Sequence, residues 1–503
     1  MLKSSDPQSQ QPHAVVIGSG FGGLSGALRL LAKGYRVTVL EALDAPGGRA
    51  YVFRQDGFTF DAGPTVITAP FLFDELWELF DRRFSDDVDM CAISPFYRLR
   101  FADGSIFEMT GDREQMRDEV AKFRPSDVAG FDKFMAKSEE LVRVGFLDLS
   151  QQPFSTLADM AKVLPTMVRL GSYRSVYQDV ARYFKDERLR IAFSFSPLLV
   201  GGNPFSTTAI YNLVGFLQEK WGVHFAMGGT GSIINAMVKL FKQQNGQIVF
   251  NAKVEEITTD GSRATGVRLA DGRQITADIV VSNADAAVTY TKLLKNAPRK
   301  RWRDRNVEKC RYSMSLFVWY FGTNKQYPDI AHHEILLGER YRELLTDIFD
   351  HKHLADDFSL YLHRPTATDS SLAPDGCDAF YVLSPVPHLE SGTDWDVEAP
   401  KYRDKLARAL EATVLPGLTD HIASEHWMSP NDFRDRLNSY KGAAFGMEPQ
   451  LMQSAWFRPH NKSEDIENLY LVGAGTHPGA GLPGVISSAK VLEKLVPNVA
   501  TTR

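Results

Sequence analysis

Two strand–glycine–helix patterns, one near each end, constrain this 503-residue chain more than any other feature. Near the start, Ala14-Val15-Val16-Ile17 reads as a strand. Gly18-Ser19-Gly20-Phe21-Gly22-Gly23 follows as a turn, and then a helix from Leu24 to Lys33 closed by Gly34. Near the other end, Asn468 to Val472 is a short apolar strand that breaks into Gly473-Ala474-Gly475-Thr476-His477-Pro478-Gly479-Ala480-Gly481. A helix-competent segment, Val485 to Leu492, comes after it. Glycines let backbone N–H groups approach a ligand closely, and the start of a helix offers partial positive charge to an anion. Two such loops from distant parts of the chain predict one extended cofactor shared between them, a flavin dinucleotide, FAD.

The first pattern runs on into a second strand, Arg36 to Leu40, closed by Glu41 at the distance where dinucleotide folds place a carboxylate on a ribose. Pro46-Gly47-Gly48-Arg49 then suits a pyrophosphate, because a guanidinium pairs bidentately with phosphate oxygens; the alternative for Arg49 is a surface ion pair. The candidate cofactor-binding residues are Gly18, Gly20, Gly22, Gly23, Glu41, Gly48 and Arg49, then Pro64, Thr65 and Val254, and finally Gly473, Gly475, Thr476 and His477. His477 either sits close to the flavin ring or caps its own turn. Gly228-Gly229-Thr230-Gly231 follows a poor strand and lacks an acidic partner, so a separate nicotinamide domain is not expected, and oxygen or a quinone is the expected electron acceptor.

A formal net charge of -5 with no basic stripe gives no case for nucleic acid. Cys91, Cys310 and Cys377 are far apart and form no CxxC pair. This predicts reduced thiols in a cytoplasmic protein, no metal centre, and a flavin held without a covalent link. Met1 to Pro12 reads as a disordered polar tail with no signal-peptide core. From Ile191 to Gln218 no residue is charged, yet Pro197, Gly201, Gly202, Asn203 and Pro204 interrupt the stretch, which therefore reads as buried lining and not as a membrane span. Phe193, Phe195, Leu198, Leu199, Val200 and Phe205 are its candidates for lining an apolar channel or for ordinary core.

Asp159, set among apolar residues with Lys162 three positions on, is the candidate catalytic acid/base; the alternative is a surface pair. The stretch Leu157 to Arg174 is apolar with basic flanks and suits either docking at an anionic membrane surface or domain packing, and Pro165 and Gly171 argue against one continuous helix. Helical spacing marks Met116 to Phe123, Val128 to Val144 and Val176 to Phe184, and later Pro400 to Thr413; strands include Val254 to Thr258, Ala264 to Leu269, Ser315 to Phe321 and Ala379 to Ser384.

Further motifs carry a resemblance. Gly47-Gly48-Arg49-Ala50-Tyr51, Asp61-Ala62-Gly63-Pro64-Thr65-Val66-Ile67-Thr68, Leu198 to Phe205, Gln453 to Asn461 and the Gly473 to Gly481 loop resemble the bacterial-type phytoene desaturases, lycopene-forming enzymes of the carotenoid/retinoid oxidoreductase family within the flavin amine oxidase-like group. The resemblance implies FAD, a linear polyene substrate, and insertion of conjugated double bonds. Where other flavoproteins place an aspartate after the terminal glycine turn, this chain has Thr476-His477, as that family does. The Thr476 hydroxyl or backbone N–H groups would take over the ribityl contact. The implied fold is α/β with α+β. A Rossmann-type, glutathione-reductase-like FAD domain is assembled from residues 13–85, 225–300 and 462–503 after the tail, 1–12. A mixed-sheet substrate domain takes 86–110 and 301–461, and a helical, membrane-facing part takes 111–224. The implied location is cytoplasmic and peripheral to a membrane. Three alternatives stay open: an amine oxidase of the same group, a desaturase of a related carotenoid (neurosporene-forming or shorter-chain), and a non-enzymatic isoprenoid carrier.

Overall fold

The computed structural model describes residues 11–499; the tail expected over 1–12 lies outside them except for its last two positions. Five parallel strands form the first sheet, in the order Leu469–Leu471, Ile279–Ser282, His13–Ile17, Arg36–Leu40, Gln247–Val249. The central strand, His13–Ile17, is buried along its whole length, which is why it reads as an unbroken apolar run and not as an alternation. One face of this sheet is covered by the helices Phe21–Ala32, Thr230–Gln243 and Leu482–Leu495. The other face carries a three-stranded antiparallel sheet, Val254–Asp260, Arg263–Leu269 and Gln274–Thr276, whose Val254, Ile257 and Val267 pack on Val15, Ile17 and Val280. Addition of the late strand Leu469–Leu471 at the edge brings the two ends of the chain together.

The second sheet has seven strands, ordered Ile422–Met428, Ser315–Thr323, Asp378–Val386, Leu360–His363, His333–Leu336, Tyr97–Arg100, Ile106–Met109. Only the pairing of His333–Leu336 with Tyr97–Arg100 is parallel. The two-residue period of Ser315–Thr323 divides its side chains. Phe317, Trp319 and Phe321 pack on Trp395, Tyr402 and Leu406 of the helix Trp395–Thr413, while Leu316, Val318 and Tyr320 face a cluster shared with the helical part. The fold is thus α/β with mixed sheets and helices.

Several boundaries differ from the sequence expectation. The helix expected from Pro400 starts at Trp395, because Asp394 accepts the Asp396 N–H at 3.1 Å, and the helix runs through the proline. The helix expected over Val176 to Phe184 stops at Val180, and Phe184 stacks on Phe193 with ring centres 4.5 Å apart. The stretch Leu157 to Arg174 is not one continuous helix, as expected, but the break falls only at its end: the helix Leu157–Arg169 runs across Pro165 and stops before Gly171, whose φ is +68°. The uncharged stretch 191–218 folds as short turns and parts of two helices, and no helix among the described residues is long and apolar enough to cross a membrane.

Candidate cofactor site and active cavity

Because Leu469–Leu471, Ile279–Ser282 and His13–Ile17 are neighbours running in one direction, the loops at their carboxyl ends converge, the place where open parallel sheets hold ligands. Asn283 is the keystone. A Cβ on Gly22 would lie 2.5 Å from Asn283 Oδ1 and 2.9 Å from Gly473 Cα, so only glycine lets the N-terminal helix meet the C-terminal loop. The Gly473 N–H donates to Ser488 Oγ at 2.8 Å, fixing that loop to its following helix. Gly18, Gly20, Gly22, Gly48, Gly473 and Gly475 all line one cavity. Gly23 does not: its missing side chain makes room for the Gly18 carbonyl, a packing role.

Glu41 is buried. Its carboxylate accepts the Ser19 N–H at 2.7 Å, the Ser19 hydroxyl at 2.6 Å and the Leu43 N–H at 2.9 Å, so it shapes the glycine turn itself. A carboxylate has about four acceptor sites, which leaves one for a ribose hydroxyl. Arg49 donates to Ser439 Oγ at 2.9 Å, and its buried Nε has no partner. Burial holds the guanidinium below its ordinary range, an effect a bound anion would offset.

The cavity, about 910 Å³, runs from these loops past Pro64, Thr65, Val254 and His477 into an apolar tunnel between the seven-stranded sheet and the helical part. Phe195, Leu198, Leu199 and Val200 line it, as expected of the uncharged stretch. Phe193 and Phe205 do not. Phe193 belongs to an aromatic core with Phe131, Phe134 and Phe184, and Phe205 stacks under Arg342 at 3.9 Å. Where tunnel and loops meet, the Thr65 hydroxyl hydrogen-bonds the Tyr381 hydroxyl at 2.6 Å and that of Tyr361 at 3.1 Å.

Two sequence expectations, those for Thr476 and Asp159, are corrected by this geometry. The Thr476 hydroxyl donates to the Pro459 carbonyl at 2.6 Å and is fully buried, so it is spent inside the loop and is not free for a ribityl contact. Gly228-Gly229-Thr230-Gly231 opens a helix, but Asp61 already accepts the Thr230 and Gly231 N–H groups at 2.8 and 3.2 Å. Burial raises that carboxyl to about 6, and the helix start is satisfied by the chain itself. Asp159 is not in the cavity. It is the N3 residue of a capping box, accepting the Thr156 N–H at 3.0 Å, and its hydrogen bonds with Thr156 hold its carboxyl below the usual range, the opposite of an acid/base poised by burial. Its neighbours Met160, Val163 and Met167 are the ones that line the cavity. Asp159→Asn is therefore expected to leave turnover within about twofold of the parent and to lower stability by about 0.5–1 kcal/mol, read from urea midpoints.

His477 is neutral: burial lowers it to about 4, its ring N–H donates to the Leu149 carbonyl at 3.2 Å, and its Nδ1 is buried without a partner. Sequence reasoning missed Asn283, Ser439, Tyr361 and Tyr381. For Asn283 a signal existed, since it immediately follows the strand Ile279–Ser282. The observations fit a flavin dinucleotide: backbone cleared of side chains, a carboxylate with a site to spare, a guanidinium with an unpartnered nitrogen, and an unpartnered acceptor on His477.

The chain belongs to the flavin containing amine oxidoreductase family, which it matches over residues 21–491; it is an oxidoreductase with FAD as its cofactor. It is 49% identical over 507 residues to the neurosporene-forming phytoene desaturase of Cereibacter sphaeroides, covering 100% of this chain and 98% of that one. It is 50% identical over 483 residues to the lycopene-forming phytoene desaturase of Pseudescherichia vulneris, covering 96% and 98%. Among solved structures, an oxidoreductase from Methanosarcina mazei shares the fold with a TM-score of 0.65 at 16% identity, covering 96% of this chain and 100% of that one.

Proposed function

We propose that this chain is an FAD-dependent phytoene desaturase that inserts conjugated double bonds into phytoene to give lycopene. The observation that carries the reading is the single cavity that joins both glycine loops to a long apolar tunnel. An amine oxidase would need a polar seat for its amine, and a lipid carrier would have no use for Glu41, Arg49 and two glycine loops. Relatives about half identical along the whole chain are desaturases of this class, with both lycopene and neurosporene among their products. When bound, FAD supplies the hydride acceptor that no side chain can be.

The chain's own residues then divide the work. Gly18, Gly20, Gly22, Gly48 and Arg49 hold the pyrophosphate, Glu41 takes a ribose hydroxyl, and Val254 packs on the adenine side. Pro64, Thr65, Gly473, Gly475 and His477 surround the flavin end. Leu198, Leu199 and their neighbours hold the polyene and exclude water. Tyr361 and Tyr381 are kept protonated by burial and act as donors that fix the tunnel wall. The Rossmann-type domain is built from 13–85, 225–300 and 462–503, the substrate domain from 86–110 and 301–461, and the helical part from 111–224. Electrons leave to a quinone or oxygen, with no nicotinamide required. Co-expression in a phytoene-accumulating host, followed by pigment chromatography, tests the reading. Lycopene is the expected product, neurosporene would shorten the reaction sequence, and unchanged phytoene would overturn it.

The polyene enters from a membrane surface at which the chain docks from the cytoplasmic side. The helix Leu157–Arg169 supports this: Met160, Val163 and Met167 line the cavity on one side, while Leu164 and Val168 stand 52% and 56% exposed on the other, beside Lys162 and near the exposed Tyr173. The side chain of Leu157 lies outside those described. Replacing both Leu164 and Val168 by Asp is expected to lower binding to anionic liposomes roughly tenfold or more, since each removes an exposed aliphatic side chain that the bilayer would bury and adds negative charge, while FAD stays bound. Unchanged flotation with liposomes would remove this helix from the membrane contact.

A further inference from the structure

Away from the cofactor site, three histidines from two adjacent strand ends meet inside the seven-stranded sheet. His333 begins the strand His333–Leu336 and lies directly opposite His363, the last residue of Leu360–His363. His332 precedes them, and its carbonyl accepts the Arg364 N–H at 3.0 Å, which locks the two strand ends together. All three are buried, at 5%, 0% and 1% exposure. One ring nitrogen from each can be chosen so that all lie within 4.8 Å of one another.

What makes the cluster unusual is its unused nitrogens. His332 Nε2, His333 Nε2 and both nitrogens of His363 are buried without hydrogen-bond partners. Buried polar atoms in native proteins are almost always satisfied, and an exception of this size calls for an absent water or ion. Protonation does not resolve it: burial pulls all three imidazoles down, His332 to about 3, so each is neutral and none can donate from both nitrogens. Two carboxylates on strands of the same sheet are already used. Glu334 pairs with Arg100, and Asp378 with Arg364 at 2.9 Å.

The remaining nitrogens are engaged as the outer partners of metal-bound histidines are. His332 Nδ1 meets Thr368 Oγ1 at 2.6 Å, and His333 Nδ1 meets the Tyr361 hydroxyl at 2.6 Å. Each hydroxyl can accept from an Nδ1–H, the tautomer that leaves the opposite nitrogen free for a cation. We propose that His332, His333 and His363 form a site for one divalent transition-metal ion of the zinc type. Neutral imidazole suits such an ion, and the separation of the nitrogens is within reach of the about 3.4 Å of a tetrahedral shell by ring rotation, since the backbone already pairs His333 with His363. The expectation of no metal centre rested on cysteine spacing and did not weigh histidines that only the strand register brings together. The ion staples two strand ends, and through His333 and Tyr361 it fixes the hydroxyl that meets Thr65 at the cavity wall. Its role is to position the wall, not to react.

The test uses the FAD-loaded full chain, freed of adventitious ions by gel filtration and then incubated with ZnCl2. Elemental analysis is expected to give close to one zinc per chain for the parent and below about a tenth for His363→Gln. Stripping with 1,10-phenanthroline should lower the unfolding temperature by several degrees, and ZnCl2 should restore it. If His363→Gln fails to fold, zinc X-ray absorption on the parent decides the matter, with an imidazole nitrogen shell expected at about 2.0–2.1 Å. A parent chain that takes up no stoichiometric zinc, a His363→Gln variant that retains it, or a shell without imidazole overturns the proposal.

Discussion

Gly20→Val is expected to yield a folded chain that no longer holds FAD. Gly20 caps the helix Phe21–Ala32 with extended backbone, and a Cβ there would meet only the Asn283 amide end at 3.3 Å and the Gly47 carbonyl at 3.5 Å. Those contacts are tight but sit at the edge of the cavity, so the fold can absorb them. A pyrophosphate approaching the same backbone cannot, because the branched side chain occupies its place. Retention of flavin should fall by at least about a hundredfold, or ~3 kcal/mol, measured by flavin absorbance against protein at constant circular dichroism. Normal flavin occupancy in a folded variant would move the cofactor away from this loop. Gly22→Val and Gly23→Val are poorer probes, since their side chains would collide with Gly473 and Gly18 and damage the fold itself.

The second large effect is expected at the tunnel. Leu198 is only half-buried because it borders the cavity, so Leu198→Asp can remain wetted while the tunnel is empty. Entry of a polyene strips that water and leaves an unpaired carboxylate against hydrocarbon, a penalty of several kcal/mol. Turnover of phytoene should fall roughly a hundredfold or more with FAD occupancy unchanged. A variant that desaturates phytoene at the parental rate would mean that the substrate lies elsewhere. Asp159→Asn, expected to be nearly silent, is the matched control.

The local half of this site was legible in the sequence. The glycine turns, Glu41 and Arg49 all act within a few residues of the strands that position them, and strand–turn–helix chemistry is local. The assembly was legible only in outline. Asn283, Ser439 and the Thr65–Tyr361–Tyr381 hydroxyl group join residues hundreds of positions apart, and only strand order brings them together. Thr476 was misjudged because a hydroxyl's direction depends on which carbonyl folds over it, here that of Pro459. Asp159 is the instructive failure. Apolar neighbours suggested burial, but Thr156 three residues earlier makes a capping-box signature, and that local signal takes precedence over the apolar stripe one turn on. The three histidines were invisible for the same reason as Asn283: the pairing of His333 with His363 is a matter of register, which no local pattern encodes.

The central claim, that the glycine-loop cofactor serves an apolar polyene, is tested most directly with purified protein carrying FAD. It should be incubated with phytoene in anionic liposomes and a quinone, without any nicotinamide, and in parallel with a soluble diamine. The account predicts loss of phytoene and the appearance of visible polyene absorbance in the first mixture, with no amine oxidation in the second. Phytoene left intact by FAD-loaded protein, or oxidation of the diamine in its stead, would contradict it.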